Sequence, residues 1–142
     1  MSTPPTMLTI RRLLAARSQA LSTKNAAAVI NCQTSNVVVY SMAPPLVASD
    51  PKALQAWFDT WDGPIGYETQ QLHIEASEKV AFVHALVRMS GRRTDGSSTG
   101  LWFRLTLGLL HQGSDWKVAH EHQSTPFYMD GSLRAAVDLT PA

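Results

Sequence analysis

The stretch GLWFRLTLGLLHQGSDWKVAHEHQST, residues 100–125, decides the fold, because it contains two strands and the turn between them. Every second residue of its first part is apolar: Leu101, Phe103, Leu105, Leu107 and Leu109. A period of two is typical of a β-strand with one buried face. The residues QGSD, 112–115, favour a turn, and a second strand follows them. Strands joined by so short a link are antiparallel neighbours.

The second half of the chain repeats this pattern. We expect strands at about residues 67–77, 79–90, 100–111 and 115–125. The links between them are short and rich in glycine, serine and charged residues. The second half is therefore predicted to be an antiparallel meander.

The first half of the chain begins with helical patterns. Apolar residues recur at spacings of three and four over residues 7–21, which predicts an amphipathic helix. A second, shorter helix is expected over residues 22–30, with Ser22 or Thr23 as its cap. The β-branched and aromatic run at residues 37–40 predicts a strand.

A third helix is predicted to begin at Asp50-Pro51, a capping carboxylate followed by proline. We expect residues 62–64, Asp-Gly-Pro, to end it. Its apolar face would carry Leu54, Trp57, Phe58 and Trp61. Helices followed by a meander predict an α+β fold with the helices packed on one face of the sheet. The other face mixes apolar and polar residues, which predicts a homodimer through the sheet.

The composition fits one compact domain over residues 1–142, because 44% of the residues are hydrophobic. The formal net charge is only +1, and the basic residues do not cluster into a stripe. Nucleic acid is therefore not an expected partner. The single cysteine, Cys32, is expected to be a small buried hydrophobe. No apolar run is long enough to cross a membrane, and the start lacks the order of a secretion signal. We therefore expect a cytoplasmic protein without a membrane partner.

The triplet His120-Glu121-His122 lies inside the last predicted strand. Strict alternation would place both histidines on one face, with Trp116 and Val118, and Glu121 on the other. A metal site at His120 and His122 is a weak alternative, since a third ligand would be needed. Hydrogen bonds across the sheet or the dimer face are the simpler interpretation. A role in a pocket is the third.

Three segments carry a resemblance to a known family: VAFVHALVRMSG (80–91), DGSSTGLWFRLTLGLL (95–110) and DWKVAHEHQSTPF (115–127). With the order of helices and strands around them, they resemble the SnoaL-like, ketosteroid-isomerase-related branch of the nuclear transport factor 2-like superfamily, over about residues 6–130. The resemblance implies a cone in which the N-terminal helices and a curved antiparallel sheet enclose a pocket, usually in a dimer. It does not imply one reaction, because the superfamily contains both enzymes and binding modules.

The last segment is also similar to the association domain of calcium/calmodulin-dependent protein kinase II. That similarity implies that His84, Arg104 and Gln123 are cavity positions, with Glu121 on the same wall. Four aromatic residues are expected to line the pocket: Tyr40, Trp57, Phe82 and Trp102. Alternatives remain at three positions: an ion pair with Glu121 for Arg104, a core histidine for His84, and a core position for Trp57.

The resemblance leaves two functions open. Ser41 lies where many relatives have an aspartate, and this departs from the isomerase pattern of an Asp base. A dimeric module that binds a small hydrophobic molecule is therefore the first expectation. The alternative is an isomerase, cyclase or dehydratase without a cofactor. Its catalytic residues would be Glu121 or His84 as the base, with Arg104 or Tyr40 stabilising an enolate.

Overall fold

The computed structural model describes residues 5–48 and 50–142. Within them, three helices and five strands follow one another along the chain. The helices are α1 (Pro5–Ser22), α2 (Ala26–Asn31) and α3 (Lys52–Phe58). The strands are β1 (Gln33–Tyr40), β2 (Trp61–Ala76), β3 (Val80–Arg93), β4 (Ser98–Gln112) and β5 (Asp115–Ser124). None of the helices in these ranges combines the length and the apolar composition needed to span a membrane.

The five strands form one sheet in the order β1-β5-β4-β3-β2. Strands β2 to β5 are the predicted antiparallel meander. Strand β1 is parallel to β5 and forms one edge, and β2 forms the other, so the chain crosses the whole sheet between β1 and β2. Helices packed on this curved, mainly antiparallel sheet confirm the α+β prediction.

The core lies between α1 and one face of the sheet, here called the inner face. Along β3 and β4 the odd-numbered residues are buried on this face, and the even-numbered residues are more exposed. The buried set includes Val83, Val87, Leu107 and Leu109. Burial of one such side chain contributes about 1.5–3 kcal/mol to folding, which makes this alternation decisive for the orientation of the sheet.

Strand β2 starts earlier than the sequence predicts. Trp61 was expected on the third helix, but that helix ends at Phe58, and Trp61 pairs with Arg93 in the sheet. The Asp62-Gly63-Pro64 segment, predicted as a stop, instead coincides with a register shift inside β2. Gly63 has a φ of +89°, and a bulge accommodates both this conformation and a proline without a backbone N–H.

Strand β5 contains a bulge at Ala119. Gly108 pairs with His120, while the next residue of β4, Leu109, pairs with Val118, so Ala119 is an extra residue. The bulge reverses the alternation, and Glu121 lies on the buried face together with Val118. The prediction that Glu121 faces away from Trp116 and Val118 is therefore wrong.

Candidate functional site

A buried polar cluster joins α1 to the inner face of the sheet. Arg17 Nη2 donates to Glu121 Oε1 over 2.7 Å, and Arg17 Nη1 donates to the Tyr67 hydroxyl over 3.1 Å. The second carboxylate oxygen of Glu121 accepts from Gln123 Nε2 at 2.5 Å. Arg17 is 3% exposed and Glu121 is 6% exposed. These four residues are called the Arg17 cluster below.

The position of Arg17 follows from the helical period of α1. Arg17 lies seven residues after Ile10 and four residues before Leu21, and both of these residues are buried. Residues at such spacings share one face of a helix. Arg17 is not among the site residues expected from the sequence, because an arginine of an amphipathic helix usually lies on the solvated side. The signal that could have found it is an arginine on the apolar stripe facing a strand with one buried carboxylate.

Electrostatic effects in the cluster keep the guanidinium charged and the phenol neutral. Burial lowers the pKa of Arg17, but Glu121 and Tyr67 raise it by more, so the net shift is upward. Burial raises the pKa of Tyr67 above its usual value, and the nearby Arg17 offsets only part of that shift. Tyr67 accepts a hydrogen bond from Arg17, and its own hydroxyl proton can be donated elsewhere.

A recess beside the Arg17 cluster separates part of α1 from the inner face; it is called the α1 cavity. Its volume is about 230 Å³. Seven apolar residues line it: Leu14, Ala15, Leu72, Val83, Ala85, Leu105 and Leu107. The polar lining consists of three hydroxyl residues and two arginines: Ser18, Tyr67, Thr69, Arg11 and Arg17. An apolar wall with a few polar groups is typical of small-molecule sites.

A second recess of about 320 Å³ lies where α1 begins, next to the β2–β3 turn. Its lining is Thr6, Met7, Ala76, Ser77 and Glu78, and four of these five residues are exposed. It lacks a buried polar side chain among those five. We therefore take the α1 cavity as the candidate site.

The structure brings together only part of the polar set expected from the resemblance. Glu121 and Gln123 belong to the Arg17 cluster. His84 and Arg104 are exposed on the opposite face of the sheet, here called the outer face, because they occupy even positions of β3 and β4. Arg104 donates to Ser124 Oγ over 3.0 Å. The alternative interpretation of Arg104, an ion pair with Glu121, is therefore wrong, since Arg17 is the partner of Glu121.

The four aromatic residues expected in the pocket also lie elsewhere. Phe82 is 50% exposed on the outer face, and Trp102 lies at an even position of β4. Tyr40 is exposed and packs edge-on against His120 and His122. None of the four is among the residues lining the α1 cavity.

Trp57 packs against the core, in agreement with the alternative interpretation of that residue. Its ring meets the Phe58 ring at 5.5 Å and the Trp61 ring at 5.7 Å, between centroids. Such aromatic packing stabilises the end of α3 against the start of β2. A ligand-binding role for these aromatic residues is not supported by their positions in one copy of the chain.

The two histidines of the triplet lie on the outer face. His120 Nδ1 is 2.7 Å from the Val38 carbonyl oxygen, a hydrogen bond across the sheet. The rings of His120 and His122 are 6.4 Å apart, between centroids. Within residues 5–48 and 50–142, no group of three or more His, Cys, Asp or Glu residues is placed to hold a metal ion. The hydrogen-bonded interpretation of His120 therefore agrees with the geometry.

A helix-covered, curved sheet with a polar cluster between helix and sheet defines the class: it is a nuclear transport factor 2-like fold. Residues 10–128 match the SnoaL-like domain family. The chain belongs to the SnoaL-like domain family, which confirms the resemblance. None of the curated proteins matches the sequence significantly.

Solved structures with the same fold include three of particular interest. A nuclear transport factor 2-like protein of unknown function from Pseudomonas putida KT2440 is 28% identical, with a TM-score of 0.81 over 98% of this chain and 100% of that one. A candidate scytalone dehydratase from Novosphingobium aromaticivorans is 20% identical, with a TM-score of 0.74 over 96% and 95%. A candidate ketosteroid isomerase from Shewanella frigidimarina is 20% identical, with a TM-score of 0.63 over 80% and 92%.

Proposed function

We propose that this protein binds a small, mainly apolar molecule in the α1 cavity and holds the polar end of that molecule at the arginine and hydroxyl residues of the cavity lining. The observation that carries the proposal is the position of the buried Arg17–Glu121 pair beside an apolar recess. Buried charges are costly unless they are paired. A cluster retained at this cost, next to an apolar wall, is well placed to recognise the polar group of a ligand.

The volume of the cavity limits the size of this ligand. Its volume of about 230 Å³ is below the roughly 300–1,000 Å³ of sites for drug-sized molecules. We therefore expect a ligand with a single ring or a short branched chain.

Filling the cavity tests this proposal with a matched control. Ala15 lines the cavity, and its neighbour Ala16 is exposed on α1 without lining it. Ala15→Leu should abolish the thermal stabilisation that single-ring carbonyl compounds give to the wild type, because the larger side chain occupies the site. Ala16→Leu should leave that stabilisation unchanged. Equal stabilisation of both variants would show that the compounds bind elsewhere.

The outer face supports a second part of the proposal, a homodimer through the sheet. Across this face, the cross-strand partners Tyr40, His122, Thr106, His84 and His73 form one row. His73 and His84 stack with centroids 5.0 Å apart, and the exposed Phe82 lies beside them. A two-fold axis places equivalent residues of two copies against each other, so this row, which contains no Asp, Glu, Lys or Arg, suits the symmetry. The proposed partner is therefore a second copy of this chain.

An enzyme without a cofactor is the alternative, supported by the names of two solved relatives, a candidate dehydratase and a candidate isomerase. In this alternative Glu121 transfers a proton. Both of its carboxylate oxygens accept hydrogen bonds, from Arg17 and Gln123, so it would first have to exchange a partner for the substrate. Turnover of a ring ketone or alcohol that stops in Glu121→Gln, with ligand binding retained, would favour the enzyme.

A further inference from the structure

The charges lining the α1 cavity are unequal. Its twelve lining residues include two guanidinium groups, Arg11 and Arg17, and no carboxylate. Glu121 pairs with Arg17 but is not itself among the lining residues. The positive charge of Arg17 is therefore neutralised by a carboxylate that does not line the cavity. The positive charge of Arg11 is not balanced by the cavity wall.

Arg11 lies on the face of α1 that borders the cavity. Arg11, Leu14, Ala15 and Ser18 follow the three- and four-residue spacing of one helix face, and all four line the cavity. Arg11 is exposed, and in the part of the chain that the structure describes it has no carboxylate within ion-pairing distance. A ligand in the cavity would thus have one unpaired guanidinium within reach.

The geometry points to a specific class of ligand: a small apolar carboxylic acid, bound as its monoanion, with its carboxylate at Arg11 and its apolar part against the leucine and valine side chains of the sheet. This inference rests on the proposed function of the α1 cavity. Arginine presents paired N–H donors that match both oxygens of a carboxylate. The three hydroxyl residues of the lining supply further donors to the same group.

A single negative charge agrees with the lining better than a phosphate does. A phosphate monoester carries close to two negative charges at neutral pH. Only one guanidinium of the lining lacks a carboxylate partner, and burial of a second, uncompensated charge is costly. A neutral ketone would leave Arg11 without a counter-charge, although it would fit the same apolar wall.

The test compares acids with amides of the same shape, in wild type and two arginine variants. The probes are benzoate and benzamide, phenylacetate and phenylacetamide, and cinnamate and cinnamamide, with dissociation constants measured by titration calorimetry. Arg12 is the matched control, because it neighbours Arg11 and is exposed but does not line the cavity.

We expect each acid to bind more tightly than its amide. Arg11→Gln should weaken the acids about fivefold, the size expected for a solvent-exposed ion pair, and should leave the amides unchanged. Arg12→Gln should change neither.

Four results would overturn the inference. Equal binding of acid and amide, or equal effects of Arg11→Gln and Arg12→Gln, would show that Arg11 does not select an anionic ligand. The proposed binding of a small molecule in the α1 cavity would still stand. Binding of benzyl phosphate more tightly than any of the acids would replace the carboxylate with a phosphate. If neither the acids, the amides nor neutral single-ring compounds bind to the wild type, both this inference and the proposed function fail.

Discussion

Arg17 and Glu121 are 104 residues apart in the chain, and their side chains meet at 2.7 Å in the interior. The first helix is thereby joined to the last strand of the sheet by a charged contact that water scarcely reaches. The Tyr67 hydroxyl accepts a hydrogen bond from Arg17, and Gln123 donates one to Glu121. The pair therefore links the stability of the fold to the site where we expect the ligand to bind.

Removal of one partner should be costly, because the other charge would remain buried. We expect Glu121→Leu or Arg17→Met alone to lower the free energy of unfolding by about 3–5 kcal/mol. The double variant should lose much less than the sum of the two, since an apolar pair replaces the charged one. Urea unfolding of the four proteins measures this coupling. A double variant that is as unstable as the sum would show that the two side chains act independently.

Tyr67 should make the free energy of unfolding depend on pH in the alkaline range. Its pKa is raised in the folded protein, chiefly by burial, so above about pH 10 the unfolded chain loses the phenolic proton first. The contribution of Tyr67 is complete below that pH and decreases as pH rises toward the folded pKa, by up to about 1.4 kcal/mol per pH unit. Tyr67→Phe should be less stable than wild type at neutral pH, and the difference should shrink from about pH 9.5 upward. Chemical unfolding across this range checks the slope. Parallel stability curves would contradict the prediction.

The alternation of apolar residues predicted most of the sheet. The odd positions of 103–109 are buried as a continuous apolar face, Leu101 is partly buried beside them, and β3 pairs with β4 without a register shift. Local period and burial agree in these strands, so no tertiary information was needed. The third helix was predicted too long, because Trp61 fits the helical stripe and the start of a strand equally well.

The site was harder to predict, because it depends on contacts between distant parts of the chain. Glu121 is buried, as the expected cavity wall would require, but its ion-pair partner lies on α1 and not on β4. An arginine on an amphipathic helix is usually solvated, and the sequence gives no indication of the carboxylate that faces it. The similarity to the kinase association domain implied that His84 and Arg104 line the cavity, but both lie on the outer face. A similarity of motif does not fix which face of the sheet borders the cavity, and here the odd-numbered residues of β3 and β4 line it.

A charge on the outer face should prevent the proposed dimer. Phe82→Glu places a carboxylate at a position where two copies would bring like charges close together. We expect this variant to be a folded monomer in analytical ultracentrifugation at concentrations where the wild type is a dimer. Leu8→Glu is the control, because Leu8 is comparably exposed, at 43%, but lies on α1. A monomeric wild type, or dissociation of both variants, would refute an interface at this face.

The extra residue at Ala119 should be dispensable for the Arg17 cluster. Deletion of Ala119 leaves Val118 opposite Leu109 and His120 opposite Gly108, so β5 alternates regularly and Glu121 keeps its place opposite Leu107 on the inner face. We therefore expect the coupling between Arg17 and Glu121 to survive the deletion. Urea unfolding of the Arg17→Met, Glu121→Leu and double variants in the deletion background should give a coupling energy within about 0.5 kcal/mol of the value without the deletion. Loss of the coupling in the deletion background would mean that Glu121 has turned to the outer face and that its position on the inner face depends on the bulge.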